Sequence, residues 1–257
     1  MELIDTHCHL TFEDLLKDLD GVLSRSVEAG ITSWISVGTT LDQTKKAIKL
    51  AAEHQNVFAT AGIHPHDADS ATAEHLAEIK ALAASPKVVA IGETGLDFYY
   101  DNSDRYAQKQ LFTQQIKIAK QLKLPLIIHS REAFEETLDI LDQHAQGIEK
   151  IVFHCFSGGE NKARTLIERG YYISFTGIVT FKKADLARRT AAIVPLDRLM
   201  VETDCPFISP EPMRNQKTNE PALMIHTAKR IAELHKITLE DFAKKTTQTA
   251  KKFFNLS

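Results

Sequence analysis

Apolar residues along this chain alternate between two spacings, and the alternation is regular. Leu3-Ile4 opens a short apolar run. From Glu13 to Ala29, Leu15, Leu19, Val22, Leu23 and Val27 recur at helical intervals, and Ile31 to Val37 is then β-branched and apolar up to Gly38. The same phrase repeats six more times. Helical stretches near 41–54, 72–84 and 105–123 lead into the strands Val57–Ala61, Val88–Ile91 and Pro125–Ile128. Stretches near 133–144, 160–169 and 184–193 lead into Ile151–Phe153, Tyr171–Phe175 and Leu199–Val201. Short, nearly continuous apolar strands separated by helices predict a parallel sheet buried on both faces, and eight such units predict a TIM-type (β/α)8 barrel, regular or distorted, within the α/β class. Past Pro221 one or two extra helices are expected, with Ile225, Ile231, Leu234, Phe242 and Phe253 available to cover the barrel. No low-complexity linker interrupts the pattern, and 257 residues is a usual length for this architecture, so one domain spanning 1–257 is expected.

In such a barrel the chemistry sits at the carboxyl ends of the strands. Those positions carry the polar surprises here. His7 and His9 follow strand one, His64 and His66 strand three, and Glu93 and Asp97 strand four; His129-Ser130-Arg131 follows strand five, His154 strand six, and Glu202-Thr203-Asp204 strand eight. His7 and His9, one residue apart, point the same way from an extended backbone and make a pincer for a metal ion. Asp5 precedes them by two residues and can hold a ring tautomer from behind. Taken singly each residue has a plainer reading: His129 as a hydrogen-bonded structural residue, Glu93 as a solvated loop carboxylate, Asp204 as a helix cap. Jointly they favour a metal site, because burying four imidazoles and two carboxylates unpaired around one axis would cost several kcal/mol, roughly, with no return in stability. The other histidines, His54, His75, His144, His226 and His235, fall on helices, where solvated or capping roles are expected. Cys8, Cys155 and Cys205 each adjoin a proposed ligand, so alternation points them toward the helices as small core residues.

Composition narrows the partners only a little. Apolar residues make up 43% and charged residues 25%, as in ordinary globular proteins, and the formal charge of −3 excludes a globally basic nucleic-acid coat. It leaves room for a nuclease that grips phosphate through metal ions. No basic segment leads into a long apolar one, and no apolar run reaches the ~18 residues of a membrane span, so a cytoplasmic protein without membrane contact is expected.

The motifs Asp5-x-His7-x-His9, Gly62-x-His64-Pro65-His66, Gly92-Glu93-x-Gly95-Leu96-Asp97, His129-Ser130-Arg131, His154-x-Phe156-Ser157-Gly158, Glu202-Thr203-Asp204 and Asn219-Glu220-Pro221 together resemble the TatD family of metal-dependent deoxyribonucleases, in order and spacing, from residue 5 to about residue 221. The resemblance implies phosphodiester hydrolysis on DNA, with an exonuclease acting on single strands or ends as the working expectation and water activated by two divalent cations as nucleophile. It implies one cation on His7, His9, Glu93 and Asp204, and a second on Glu93, His129 and His154. Mixed imidazole and carboxylate ligands suit Zn, Mn, Ni and, less comfortably, Mg. Asp204, Glu202 and His64 are expected to serve catalysis: Asp204 by taking a proton, Glu202 (with Asp5) by orienting ligands, His64 by contacting the phosphate or leaving group. Arg131, Arg214 and Lys217 are the expected substrate contacts. The segment Arg214-Asn215-Gln216-Lys217-Thr218-Asn219 is one residue longer than the family pattern and lacks its glycine, which weakens the last two. Phe98-Tyr99-Tyr100 offers rings that can stack a base, pack in the core or act as a lid. No protein partner is expected. The rival readings are an amidohydrolase-type enzyme acting on a small ester, amide or phosphotriester, and a silent binding barrel, whose signature of a lost ligand is absent here.

Overall fold

A computed structural model describes residues 1–256. In the first half of the chain the elements run β1 (Leu3–Cys8), α1 (Glu13–Leu16), α2 (Leu19–Glu28), β2 (Ile31–Ser36), α3 (Leu41–Glu53), β3 (Val57–Ala61), α4 (Ala73–Leu82), β4 (Val88–Asp97) and α5 (Arg105–Leu122). In the second half they run β5 (Leu126–Arg131), α6 (Phe134–His144), β6 (Ile151–Phe153), α7 (Gly159–Glu168), β7 (Tyr172–Phe175), α8 (Asp185–Ile193), β8 (Leu199–Val201), α9 (Met224–Leu234) and α10 (Leu239–Phe254). Eight strands, in sheet order as in sequence, with helices between them, give the TIM-type (β/α)8 class expected from the spacing. The chain divides into two compact units, 1–36 with 155–257, and 37–154.

In the first unit, β1 and β2 pair in parallel, as do β7 and β8. Every residue of β1 is buried, and α10 packs on β1 and β8, with its Phe242 and Phe253 fully buried. Of the apolar residues expected to cover the sheet, Ile231, Phe242 and Phe253 are buried, whereas Ile225 and Leu234 are half-buried. The single helix expected over Glu13–Ala29 is two helices. Asp18 leaves helical geometry (φ −140°, ψ 42°), and the restart at Leu19 shifts the buried stripe to Val22 and Ser26. Val27, expected inside, is therefore exposed, while the Ser26 hydroxyl accepts from Trp34 Nε1 at 2.9 Å.

The second unit holds β3 to β6, paired in parallel in that order. Its helices are capped as their sequences suggest: Thr40 accepts from the Gln43 amide at α3, Thr72 from that of His75 at α4, and Asp104 from those of Tyr106 and Ala107 at α5. The main departure is β4, which continues six residues beyond its expected end at Ile91. The register with β5 shifts between Ile91 and Thr94 and resumes with Thr94 beside Ile128, which sets Gly95 beside His129 and Asp97 beside Arg131. Gly92 (φ +150°) and Gly95 (φ +140°) make this possible. A Cβ on Gly95 would lie 2.0 Å from the His129 carbonyl oxygen, so only glycine lets the strands approach there.

Candidate metal centres

Two clusters of imidazole and carboxylate groups stand at strand ends, one in each unit. In the first unit the end of β1 is zipped to the loop after β8: the Asp204 amide donates to His7 O (2.9 Å) and the His9 amide to Cys205 O (2.8 Å). Asp204 sits at φ +54°, a left-handed conformation that aspartate tolerates better than most residues. The result brings His9 Nε2 to 3.2 Å and His7 Nε2 to 3.7 Å from Asp204 Oδ1. The three donor atoms lie within 4.8 Å of one another. His7 is fully buried and His9 nearly so, with its ring against Phe12 and Phe207 and its Nδ1 without a hydrogen-bond partner among the described residues.

The surroundings of this cluster are held by Asp5, Glu202 and Asn219. Asp5 Oδ1 accepts from the Thr203 amide (3.0 Å) and the His7 amide (3.3 Å), and its Oδ2 accepts from the Thr203 hydroxyl (2.5 Å). Burial pushes the Asp5 carboxyl up to about 7, against the lowering effect of those donors. Glu202 accepts from the Cys155 amide (2.6 Å) and the Thr6 hydroxyl (3.4 Å). The buried Asn219 amide donates to Thr203 O (3.1 Å) and Phe207 O (2.6 Å), tying down the loop that carries Asp204, and the neighbouring Glu220 takes a bidentate pair from Arg25. Of the cysteines, Cys8 and Cys205 are fully buried, with Cys8 Sγ donating to Ile35 O (3.3 Å); Cys155 is half-buried.

In the second unit Glu93 is the focus. Its Oε1 lies 2.8 Å from His129 Nδ1 and 2.8 Å from His154 Nε2, and these two nitrogens are 3.4 Å apart. The His154 amide donates to Ile128 O (3.1 Å), which carries His154 to the end of β5 beside His129. Burial alone would raise the Glu93 carboxyl, but His154, His64 and His129 outweigh it and hold it well below the usual range. His64 Nε2 is 3.4 Å from the same oxygen. Because His64 Nδ1 accepts from the His66 amide (3.1 Å), the neutral ring carries its proton on Nε2 and acts there as a donor, not as a ligand. Burial lowers His64 to about 4, so that neutral form prevails near pH 7.

Behind His129 stands Asp97, whose part the sequence did not disclose. Its Oδ2 accepts from His129 Nε2 (2.9 Å) and His66 Nε2 (3.0 Å), while Oδ1 accepts from the Tyr99 and Tyr100 amides (3.0 and 2.9 Å). Burial is the largest influence on this carboxyl and pushes it up. The imidazole and amide donors outweigh that effect and hold it well below the usual range. Burial lowers His129, but Asp97 and Glu93 outweigh it and raise the ring above the usual range, so without a cation both nitrogens donate; with Nε2–H committed to Asp97, loss of the Nδ1 proton turns that lone pair toward Glu93. A lone pair and a carboxylate oxygen 2.8 Å apart need a cation or a proton between them. Ligands each about 2.0–2.1 Å from a metal lie roughly 2.9 Å apart at neighbouring octahedral positions and roughly 3.3 Å apart in a tetrahedral site. The separations of 2.8, 2.8 and 3.4 Å among Glu93, His129 and His154, and the donor set of the His7 cluster, fit divalent cations.

The three cations expected to meet substrate are placed differently. Arg131 is exposed, with its guanidinium 4.3 Å from the Tyr99 ring centre and 4.5 Å from that of Tyr100. Arg214, also exposed, lies over the Phe181 ring at 4.0 Å and donates to Ser209 O at 3.0 Å. Lys217 is exposed.

Comparison with known proteins gives a consistent picture. Residues 4–255 match the family model described as TatD related DNase. The chain is 41% identical to the "Uncharacterized metal-dependent hydrolase YabD" of Bacillus subtilis (strain 168), over 99% of this chain and 100% of that one. It is 36% identical to the "3'-5' ssDNA/RNA exonuclease TatD" of Citrobacter rodentium, over 99% and 98% respectively. Among solved structures, the TatD homologue YJJV from Escherichia coli k12 superposes with a TM-score of 0.93 at 29% identity, covering 99% of this chain and 98% of the other.

Proposed function

Because the chain belongs to the TatD-related family of metal-dependent hydrolases, we propose that it hydrolyses phosphodiester bonds of single-stranded nucleic acid, DNA foremost, with exonuclease action from an end. The observation that carries this reading is the pair of donor clusters, His7/His9/Asp204 and Glu93/His129/His154, each of the composition and spacing that a divalent cation takes. Each cluster holds one cation, drawn from Mg, Mn, Zn or Ni. The name of the Citrobacter relative supports nucleic acid as the substrate class.

Bound divalent cations supply Lewis acidity at phosphorus and neutralise charge that develops on its oxygens. The protein's own groups do the rest. Asp204, whose side chain is 14% exposed, reaches solvent at the cluster and accepts the proton of the attacking water. His64, neutral and protonated on Nε2, donates to a phosphoryl or leaving-group oxygen. Asp5 and Glu202 fix the backbone on either side of the first cluster, and Asp97 fixes the His129 tautomer in the second. Arg131 attracts the phosphate chain at the rim.

The test incubates metal-reconstituted protein with end-labelled single-stranded DNA and RNA, beside a chromogenic carboxylic ester and a phosphodiester, with Glu93→Ala as control. Shortening of the DNA from one end by wild type, absent in Glu93→Ala, is the expected result. Ester turnover without nucleic-acid cleavage would overturn the reading. His64→Ala is expected to lower turnover with its metal content retained; unchanged turnover would refute the role given to His64.

A further inference from the structure

The turn that follows β4 carries two aromatic rings that contribute nothing to the core. Phe98 is buried, but Tyr99 and Tyr100 are each 54% exposed, so their rings do not fill the interior. Their position is nonetheless fixed. Both of their amides donate to Asp97 Oδ1, the other oxygen of the carboxylate that orients His129. The two rings meet edge to face, with centres 4.9 Å apart, and Arg131 lies close to both. The Tyr100 ring is 5.6 Å from that of His66, and His66 is 6.2 Å from His129. Aromatic and imidazole rings thus run without a gap from solvent to a candidate metal ligand. Arg131 makes no ion pair among the described residues, so its charge is not spent on a carboxylate of the protein.

Exposed, positionally fixed aromatic rings beside a guanidinium that no carboxylate neutralises have the chemistry of a single-strand stacking platform. Each base offers a π-face to a tyrosine or a guanidinium plane whatever its identity, while the cation attracts the adjoining phosphate. We propose that Tyr99, Tyr100 and Arg131 form a subsite that stacks an unpaired nucleobase of the strand held at the Glu93/His129/His154 cluster. The subsite rests on the nucleic-acid reading given above and adds to it a demand for a base, not merely a phosphate chain, near the bond cleaved. It also predicts tolerance of base sequence, since stacking does not read hydrogen-bonding edges.

The experiment compares a labelled DNA oligonucleotide with copies in which one abasic residue is walked through the last few positions at the cleaved end, using metal-loaded protein. For wild type, kcat/KM is expected to fall about tenfold at one position of the abasic residue, the scale of one lost base stack. In Tyr99→Ala/Tyr100→Ala that ratio collapses toward one. In Tyr99→Phe/Tyr100→Phe, which keeps both ring faces, it stays near the wild-type value. Equal cleavage of all the oligonucleotides by wild type, or a wild-type ratio in the alanine double variant, would overturn the subsite while leaving nuclease action intact. No cleavage of any oligonucleotide by wild type would overturn the nucleic-acid reading and the subsite with it.

Discussion

Replacing Asp97 with asparagine keeps the size of the side chain and reverses its hydrogen bonding at one atom. In Asp97→Asn the carboxamide oxygen can go on accepting from the Tyr99 and Tyr100 amides, which leaves an NH2 group facing His129 Nε2 and His66 Nε2, at the positions where Asp97 Oδ2 now stands 2.9 and 3.0 Å away. To avoid donor against donor, His129 must move its proton to Nδ1. That proton then points at Glu93 Oε1, 2.8 Å away, which suits the metal-free protein but removes the lone pair that a cation needs. Loss of a carboxylate partner behind a ligating histidine typically costs about 10- to 100-fold in metal affinity, or roughly 1.4–2.8 kcal/mol. Calorimetric titration of metal-free wild type and Asp97→Asn with Mn or Zn should therefore show one of two binding events weakened by that factor and the other unchanged. Long-range proton–nitrogen NMR at a pH where His129 is neutral should show its proton moving from Nε2 to Nδ1. Wild-type affinity in Asp97→Asn with the tautomer unmoved would refute the reasoning. So would a fall in melting temperature without any loss of metal affinity, because Asp97 would then be serving the turn at Tyr99 and not the ligand.

Three further outcomes follow from the two clusters and their supports. His9→Ala and His154→Ala should each reduce bound metal, measured by mass spectrometry after dialysis, from two equivalents to one; a single variant that empties both clusters would contradict independent half-sites. Asn219→Ala removes the donor to the buried Thr203 O and to Phe207 O and should cost about 2 kcal/mol, seen as a melting temperature lower by roughly 4–8 °C; an unchanged melting temperature would deny the clamp any net contribution. In metal-free protein Asp5 keeps its proton up to about pH 7, whereas the unfolded chain releases it near 4. The folded state then binds more protons across that interval, so stability should fall as pH rises from about 4 to 7, by at most about 1.4 kcal/mol per pH unit, and level off above. Asp5→Asn should flatten that slope in urea unfolding measured across the interval, and an equally steep slope in the variant would place its origin elsewhere.

The alternation of helical and strand spacings is enough to set out the (β/α)8 order, and β6 and β8 lie where their apolar runs put them, at Ile151–Phe153 and Leu199–Val201. Histidines at strand ends are legible for the same reason: each breaks an apolar run at its carboxyl end. What the spacing does not convey lies beyond irregularities. In β4 the register shift between Ile91 and Thr94 destroys the two-residue parity by which a side chain's face is counted, so by pattern alone the strand ends at Ile91 and Asp97 reads as loop. The partnership of Asp97 with His66 and His129 is a contact over 31 and 32 residues that no local pattern encodes. Its one signal is a His-Pro-His motif with no assigned use for its second histidine. The break at Asp18 is hidden because a helix that stops and restarts two residues later preserves most of the apolar count while rotating the face, which is how Val27 comes to be exposed. The contacts of Arg214 with the Phe181 ring and the Ser209 carbonyl are likewise beyond any local pattern.

Trp34, the only tryptophan in the chain, is buried in the first unit with its indole nitrogen donating to Ser26. Its fluorescence is therefore an optical probe of that unit alone, while helical circular dichroism draws on both. If the emission of Trp34 and the ellipticity at 222 nm, roughly the helical band, trace one common transition in denaturant, the two units unfold as one cooperative body. If the emission shifts at a different denaturant concentration, residues 37–154, inserted between the two segments of the first unit, have a stability of their own. A single indole, placed where the helix restart put Ser26 within its reach, thus gives the protein a built-in reporter of cooperativity that needs no label.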